Sequence, residues 1–475
     1  MGKDWIPALQ ERTGTIHDRL LTALEHDIDS GKLKPGDRLP SHRELAHRLG
    51  IGIGTVTKAY VAAERRGLLV SRVGSGTIVA DIAGSTTSNV TLHPSAAEMI
   101  DLTLNLPPLT VAAERLAETL ARLRRNPSIH EYATFAPHAG FERDRRAAAA
   151  WLERTAHLEG ADWHRLLLCT GAQHAMSLAL EQICRPGDVV MTEAATFHGM
   201  KSLAEYRGYR LVGLPMDEEG LLPEALDRAA ASGISRVVYT QPTLHNPTAR
   251  TMTPARRNEI VSVARRHNLW ILEGDIYAAL AWCGEKPRPN TVPVHPIAHL
   301  APERTFYASS MSKALAPGLR AGFLIVPDRE YFEKVWSAIR ATCYAASALG
   351  PLVATQWIED GTADEIIASV IREASTRTAL AERVLGAVLE KPSHPASFHV
   401  WIPLPEAEAE QIAGRALRQR VVLTPPSASL IDAQLISGIR LCLGTAPNRA
   451  ALQRALDVVA TLLSSNIDDR SRSVV

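Results

Sequence analysis

The stretch from Ser310 to Arg320, SMSKALAPGLR, places one lysine between two hydroxyl groups and an arginine. The amine of Lys313 can form a Schiff base with an aldehyde. Ser310 and Ser312 beside it, together with Arg320, can hold a phosphate through charge-assisted hydrogen bonds. A serine–x–serine–lysine sequence by itself is more typical of an exposed loop, so its interpretation depends on the segments that precede it.

Three earlier segments supply groups that the same chemistry needs. Gly171 follows an apolar strand and opens a helix whose first backbone amides form an anion site, and it lets the chain approach closely. Asn246, in the turn Asn-Pro-Thr, carries an amide that can bond a phenolic oxygen. Asp275 follows another buried strand, where its carboxylate can pair with a protonated pyridine nitrogen.

Together these segments resemble the fold-type I pyridoxal-phosphate enzymes, the aspartate aminotransferase superfamily, over about Asp101 to Leu463. The resemblance implies a pyridoxal 5'-phosphate cofactor with Lys313 as the Schiff-base lysine and Asp275 as the partner of the ring nitrogen. It also implies phenolic-oxygen ligands, a phosphate cup, an aromatic residue stacked on the ring, and a tyrosine that reaches the phosphate of a neighbouring subunit. The implied phenolic-oxygen ligands are Asn246 and Tyr277, and the phosphate cup consists of Ala172, Gln173, Ser310, Ser312 and Arg320. Phe197 is the stacked aromatic residue, and Tyr132 is the tyrosine that reaches the neighbouring subunit.

An arginine near the C-terminus completes the resemblance. Arg440, on a short predicted strand, is similar to the arginine that grips a substrate carboxylate, a task that suits a bidentate guanidinium. A surface salt bridge is the alternative role for an arginine in that position. Two positions depart from the family pattern, because Ala195 stands where a proline is usual and Ala249 where a glycine is usual.

Short β-branched runs alternate with helical patterns from about Met99 onward, which predicts βαβ units and a mostly parallel sheet covered on both faces. A smaller α+β lobe is expected toward the C-terminus, and the polar residues from about Ser464 are expected to be frayed. The predicted strands are Leu166–Cys169, Val189–Thr192, Arg236–Thr240, Trp270–Glu273, Thr305–Ala308 and Ala321–Val326 in the sheet, and Ser397–Ile402, Val421–Thr424 and Ile439–Leu443 in the lobe.

The N-terminal residues have a different organisation, with three short helices followed by a glycine-rich hairpin. Apolar spacing predicts helices over Ile16–Ile28 and Thr55–Arg66. Ser41 with Glu44 forms a capping box for a helix over 41–49 that Gly50 ends. The strands predicted at 68–71 and 77–79, around Gly74-Ser75-Gly76, form a wing. Three helices and a wing indicate a winged helix-turn-helix, whose recognition helix can enter the major groove.

This module resembles the GntR family through PGDRLPSHRELA at 35–46, Thr55-Val56 and Gly74-Ser75-Gly76-Thr77. By that resemblance, Arg43, Thr55 and Lys58 face double-stranded DNA and Gly76 lies at the tip of the wing. The family usually has Ser or Thr followed by Arg at the start of the recognition helix, where this chain has Gly52 and Ile53. Losing a phosphate-contacting arginine should weaken DNA binding and flatten its salt dependence.

Composition sets outer limits on function. The net charge is +1 over 475 residues, but the segment from Lys32 to Arg72 contains nine Lys or Arg and only three acidic residues. This basic bias is typical of a phosphate-contacting module and also of a solvated helix face.

The five cysteines are widely spaced and predict neither disulfides nor a zinc site; no metal is expected. We see no signal peptide and no run of about 18 apolar residues, so a soluble cytoplasmic protein without membrane contact is expected.

The predicted architecture is multidomain: a small α+β winged helix-turn-helix (10–80), a polar linker (81–98) and a fold-type I aminotransferase-like α/β domain with a smaller C-terminal α+β lobe (99–464). This order resembles the MocR subfamily of GntR regulators, which implies a homodimer, commonly head-to-tail, that binds a DNA operator and responds to a small amino-containing effector. A regulator that senses pyridoxal phosphate itself is a second hypothesis. A working aminotransferase with a DNA-binding appendage is a third.

Overall fold

The structure, a computed structural model, describes residues 5–7, 16–30, 32–34, 36–65, 68–72, 76–79, 99–125, 127–283 and 294–472. The chain divides into two units, Met1–Ala96 and Ala97–Val475. The linker predicted at 81–98 lies outside the described residues, so its bounds stay a prediction. Within the described part of the chain, no helix is both long and apolar enough to cross a membrane.

Over its described residues, the first unit has three helices and one antiparallel hairpin. Its elements are α1 (Ile16–Asp29), α2 (His42–Leu49), α3 (Ile53–Arg65), β1 (Leu69–Arg72) and β2 (Gly76–Val79). The three predicted helices and the two strands of the wing are therefore confirmed, each close to its predicted bounds.

Local hydrogen bonds fix the turn between the helices of this unit. Ser41 Oγ accepts from the Glu44 amide at 3.3 Å, and Gly50 ends α2 in the left-handed conformation, as the sequence predicts. The Tyr60 hydroxyl donates to the Pro40 carbonyl at 3.1 Å, which ties α3 to the chain just before α2. The apolar faces of the three helices close over a core of their own.

The second unit is built around a seven-stranded sheet. Its elements in chain order are β3 (Ile100–Asp101), α4 (Ala112–Leu123), α5 (Glu142–Ala156), β4 (Leu166–Thr170), α6 (Ala172–Ile183), β5 (Val189–Glu193), α7 (His198–Arg207), β6 (Arg210–Leu214), β7 (Met216–Asp217), β8 (Gly220–Leu221), α8 (Pro223–Ala231), β9 (Val237–Thr240), α9 (Pro254–Arg266), β10 (Trp270–Gly274), α10 (Ala278–Trp282), α11 (Ile297–Leu300), β11 (Thr305–Ser310), β12 (Ala321–Ile325), α12 (Arg329–Thr342), α13 (Leu349–Glu359), α14 (Thr362–Leu385), β13 (His399–Pro403), α15 (Glu406–Arg418), β14 (Val421–Val422), β15 (Gly438–Cys442) and α16 (Arg449–Arg472).

The strand order of this sheet is β4-β12-β11-β10-β9-β5-β6, and β12 runs antiparallel to both of its neighbours while the other pairs are parallel. Leu166 and Leu168 pack with Trp357 on one face, whereas Leu167 packs with Met176 on the other. The predicted parallel sheet, covered on both faces, is confirmed. The carboxyl ends of β4, β5, β9, β10 and β11 share one edge, where ligands of open α/β sheets bind.

A smaller lobe holds the remaining strands. β13 pairs with β15, β14 pairs with β3, and apolar side chains of α15 and α16 pack beneath them. The prediction of a frayed end from about Ser464 was wrong, because α16 continues to Arg472. The prediction was based on the polarity of these residues, but a helix whose earlier turns are buried can extend through polar residues.

Candidate functional site

Lys313 lies directly after β11, at the edge of the sheet where the carboxyl ends of the parallel strands meet. Its side chain is partly buried, and its Nζ donates to the Asn105 carbonyl. Burial lowers the pKa of this amine to about 8, and the nearby guanidinium of Arg440 acts in the same direction. A lysine with a depressed pKa is a better nucleophile near neutral pH than an exposed one.

The loops after β4 and β11 meet at a corner rich in anion-binding groups. Gly171 has φ +80°, and a β-carbon on it would lie 2.2 Å from Arg320 Nη2, so only glycine lets this guanidinium lie against the chain. Arg320 Nη2 donates to the Thr170 carbonyl at 3.1 Å. Ser312 Oγ is buried and has no hydrogen-bond partner among the described residues. Gln173, in the first turn of α6, donates to the Gly199 carbonyl at 2.6 Å.

Asp275 stands at the end of β10 and is buried. Its Oδ2 accepts from the Tyr307 hydroxyl at 3.0 Å, while Oδ1 has no partner in the described part of the chain. Burial raises the pKa of Asp275, and the charge of buried Arg257 and the hydrogen bond from Tyr307 oppose that rise. One carboxylate oxygen is thus oriented by the protein and the other is left for a cation or a donor.

Asn246, Tyr277 and Arg440 are all buried, and hydrogen bonds orient their side chains. Arg440 Nη1 donates to Asn246 Oδ1 at 2.8 Å, and Nη2 donates to the Thr103 carbonyl at 2.7 Å. The Tyr277 hydroxyl accepts from Asn105 Nδ2 at 2.7 Å. Arg440 is buried and its Nε lacks a partner among the described residues, so the alternative of a surface salt bridge for Arg440 is wrong.

A cavity of about 160 Å³ gathers most of the predicted cofactor residues around Lys313. Seven of them line it: Ala172, Gln173, Phe197, Ser310, Ser312, Lys313 and Arg320. Gly171 adjoins it through Arg320. Tyr132 does not line it; its ring packs against Phe141 with the centroids 4.6 Å apart. The structure holds one chain, so it leaves the predicted contact of Tyr132 with a neighbouring subunit as a prediction.

Several residues that build this site were missed by the sequence analysis. Asn105 contacts both Lys313 and Tyr277, and Tyr307 orients Asp275. Arg257 is fully enclosed and donates to backbone carbonyls and Thr243 near Asp275. Tyr307 is a tyrosine inside the predicted buried strand 305–308, where its hydroxyl needs a partner, and this could have pointed to it. Asn105 carries no local signal.

The residues predicted to face DNA lie on the helices of the first unit. Arg43 on α2 and Lys58 on α3 are exposed, and Thr55 on α3 is half-buried. Gly76 begins β2 opposite Arg72, while residues 73–75 of the wing tip lie outside the described residues. Ile53, at the first position of α3, is 50% exposed. Arg43, Lys58 and the apolar Ile53 are therefore all accessible to solvent.

Comparison with known proteins assigns both units. The family model for aminotransferase class I and II matches residues 97–459. The chain belongs to this family. The first unit, over residues 17–79, matches the model of the bacterial regulatory proteins of the gntR family. An N-terminal GntR domain followed by an aminotransferase class I and II domain is the MocR-type order, which confirms the resemblance predicted from the sequence.

Relatives with both units align along most of the chain. The uncharacterized HTH-type transcriptional regulator YdeF of Bacillus subtilis is 28% identical over 86% of this chain and 87% of its own length. A second regulator of that organism, YisV, is 27% identical over 82% and 84%. The crystal structure of an archaeal alanine:glyoxylate aminotransferase superposes with a TM-score of 0.70 over 78% of this chain and 92% of that chain, at 23% identity. This likeness shows the fold.

The aminotransferase class I and II fold implies a pyridoxal phosphate site, and the residues present fit that cofactor. Asp275 Oδ1 and Ser312 Oγ are buried without a partner in the described residues, an arrangement that costs about 1–3 kcal/mol for each group. A pyridinium N–H and a phosphate oxygen are suitable partners for the two atoms. Ser312 and Lys313 both line the cavity of about 160 Å³, where an aldehyde can reach the amine of Lys313.

Proposed function

We propose that the chain is a pyridoxal-phosphate-dependent transcription regulator, whose second unit senses an amino-containing small molecule or the cofactor itself. The observation that carries the proposal is the Lys313 amine at a cavity that is also lined by Ser312, whose buried hydroxyl has no partner in the described residues. Asp275, whose Oδ1 is likewise unpaired, lies between two lining residues, Gly274 and Ile276, and the same chain has a GntR domain. A complete winged helix has no role in a purely metabolic enzyme, which favours regulation over catalysis.

Each residue around the cavity has a distinct task in this proposal. Pyridoxal phosphate, when bound, supplies an aldehyde that combines with amines and a ring that accepts electron density. Asp275 holds a proton on the ring nitrogen, and Asn246 with Tyr277 binds the phenolic oxygen. The phosphate is bound by Ala172, Gln173, Ser310, Ser312 and Arg320, and Phe197 covers one face of the ring.

Arg440 is the proposed anchor for the acidic end of an effector. Its guanidinium is buried and already oriented by Asn246, Thr103 and Thr424, so little side-chain entropy is lost when a carboxylate binds. His198 lies close enough that Arg440 and Lys313, together with burial, lower its pKa to about 4. A neutral His198 adds no charge that would compete for the carboxylate.

The DNA-bound form in this proposal is a homodimer, in which Tyr132 of each subunit reaches the phosphate of the other. A two-fold dimer presents two winged helices to two half-sites, so the operator is expected to contain paired repeats. The effector must bind one arrangement of the dimer better than the other to change DNA binding.

The proposal predicts that one class of amine changes both the cofactor spectrum and DNA binding. Purified protein with pyridoxal phosphate is titrated with candidate amines, and binding to DNA upstream of its own gene is measured with and without each amine. We expect amines with an acidic end to shift the visible absorbance and to change operator affinity by about 5-fold to 150-fold. Robust steady-state transamination with common amino acid and 2-oxoacid pairs, without any effect on DNA binding, would favour the enzyme instead.

Replacing Gly171 with alanine should weaken cofactor binding. The backbone at Gly171 has φ +80° and ψ 168°, a region nearly restricted to glycine, and the new β-carbon would collide with the Arg320 guanidinium. Strain of about 1–3 kcal/mol predicts roughly 5-fold to 150-fold lower affinity in a titration of apo-protein with pyridoxal phosphate. Gly318→Ala is the matched control, because nothing lies within 4 Å of a β-carbon there. Equal affinities of the two variants would contradict the assigned phosphate corner.

A further inference from the structure

A second cluster of ligating side chains lies outside the cofactor cavity. One carboxylate oxygen of Glu159 and one ring nitrogen each of His295 and His299 lie within 4.8 Å of one another. Glu159 lies on the connection between α5 and β4. His295 lies just before α11, and His299 lies within it. His295 and His299 are four residues apart, but Glu159 is more than 130 residues away, so the sequence shows the histidine pair without its carboxylate.

Hydrogen bonds to backbone carbonyls orient both imidazole rings. His295 Nδ1 lies 3.0 Å from the His157 carbonyl oxygen, and His299 Nδ1 lies 3.3 Å from the Glu159 carbonyl oxygen. A carbonyl only accepts, so Nδ1 of each neutral ring carries the proton and Nε2 carries the lone pair. Histidines that bind metals are held in this way, with the second nitrogen donating to a carbonyl or carboxylate.

The rings are also held against each other. Their centroids are 4.3 Å apart and their planes differ by 19°. Both side chains are half-buried, while Glu159 is exposed. A cavity of about 170 Å³ lined by Glu159 and His299 adjoins them, and it has space for an ion with a bound water.

We propose that Glu159, His295 and His299 bind a divalent transition-metal ion, with Zn²⁺ the best match. Two imidazole nitrogens and one carboxylate oxygen are a ligand set that Zn²⁺ accepts, and a fourth position remains for water. The carboxylate supplies the negative charge that offsets part of the ion's charge.

The position of the cluster gives the ion a structural role, which is to hold α11 against the connection after α5. The amides of Ile297 and Ala298, between the two histidines, donate to the buried carboxylate of Glu273 at 2.9 and 2.7 Å. Glu273 lies on β10, which ends just before Asp275. An ion bound to His295 and His299 would fix α11 and the connection after α5 together, next to the strand that carries Asp275. The site does not depend on the proposed regulatory function.

The test is metal binding by the full chain, prepared without a polyhistidine tag and treated with a chelator. Zn²⁺ is titrated by calorimetry, and Co²⁺ is used as a visible probe of coordination. We expect one equivalent to bind, and Glu159→Gln and His299→Gln each to weaken binding at least tenfold. Bound ion should also raise the melting temperature in proportion to the logarithm of its concentration.

His164→Gln is the matched control, because His164 is an exposed histidine that also pairs with a carboxylate, Asp162, at 3.0 Å. It should bind Zn²⁺ as the unchanged chain does. Circular dichroism and the melting temperature of each metal-free variant check that it is folded. Absence of stoichiometric binding, or binding that survives both Glu159→Gln and His299→Gln in folded protein, would overturn the proposal.

Discussion

The variant Lys313→Ala is expected to lose all covalent attachment of pyridoxal phosphate and the visible absorbance that accompanies it. The Lys313 amine borders the cavity formed by Ser312, Arg320 and Phe197, and the other groups there cannot combine with an aldehyde. The loss should be complete, whereas noncovalent binding of the phosphate persists more weakly. Both units should stay folded, because the side chain contributes one hydrogen bond, to Asn105.

Reduction with borohydride followed by peptide mass analysis gives the decisive measurement for this variant. Lys334→Ala is a suitable control, since Lys334 is a surface lysine on α12 that pairs with Glu330. A labelled peptide that does not contain position 313, or a visible band that persists in Lys313→Ala, would refute the assignment of the lysine.

The same lysine predicts a pH dependence. Attack on an aldehyde requires the unprotonated amine, and burial lowers the pKa of Lys313 to about 8. The unprotonated fraction therefore grows as the pH rises toward that value, and the rate of covalent attachment should rise with it and then level off. An exposed lysine would instead show a rising rate up to a pH near 10, which stopped-flow absorbance distinguishes.

The second large effect is expected on DNA binding. Arg43→Ala and Lys58→Ala each remove one exposed cation from the helices of the GntR domain. If each contacts a phosphate, affinity should fall about tenfold and the slope of log affinity against log salt should become shallower by about one. Fluorescence anisotropy with operator DNA at several salt concentrations measures both quantities.

Arg329→Ala is the control for these variants, because it removes the same charge from a fully solvated position on α12. A gain-of-function variant complements the two losses. Ile53 is half exposed where related domains usually have arginine, so Ile53→Arg should steepen the salt slope by about one. Unchanged slopes in Arg43→Ala and Lys58→Ala would mean that α2 and α3 do not face DNA in the way proposed.

Much of the fold could be predicted from the sequence, because its signals are local. Ser41 caps α2 through an amide three residues away, and Gly50 ends it with a left-handed turn. The runs at 166–170 (LLLCT) and 321–325 (AGFLI) are almost entirely apolar or small, which is typical of strands buried on both faces. The cofactor residues are assigned by resemblance to the aminotransferase superfamily, and the motifs at Gly171 and Lys313 can be recognised because each follows a buried strand.

The remainder of the site depends on contacts between residues far apart in the chain. Lys313 and Asn105 are separated by 208 positions, and Tyr277 and Asn105 by 172, so no local pattern marks Asn105. Arg257 is an arginine in an amphipathic helix, and its enclosure is decided by packing around Pro242 and His295. The cluster at Glu159, His295 and His299 is likewise formed only when α11 lies beside the connection after α5.

The short segment from Ile100 to Asn105 connects the start of the second unit with the predicted cofactor site. Its Thr103 carbonyl accepts a hydrogen bond from Arg440, and its Asn105 carbonyl accepts one from Lys313. The segment follows the linker predicted at 81–98. In the proposed cofactor-bound form the Lys313 amine is joined to the aldehyde, so its contact with the Asn105 carbonyl would be lost on cofactor binding. Arg440 can keep its contact with Thr103, because its Nε has no partner among the described residues. The segment that follows the predicted linker would therefore differ by at least one hydrogen bond between the free and the cofactor-bound protein.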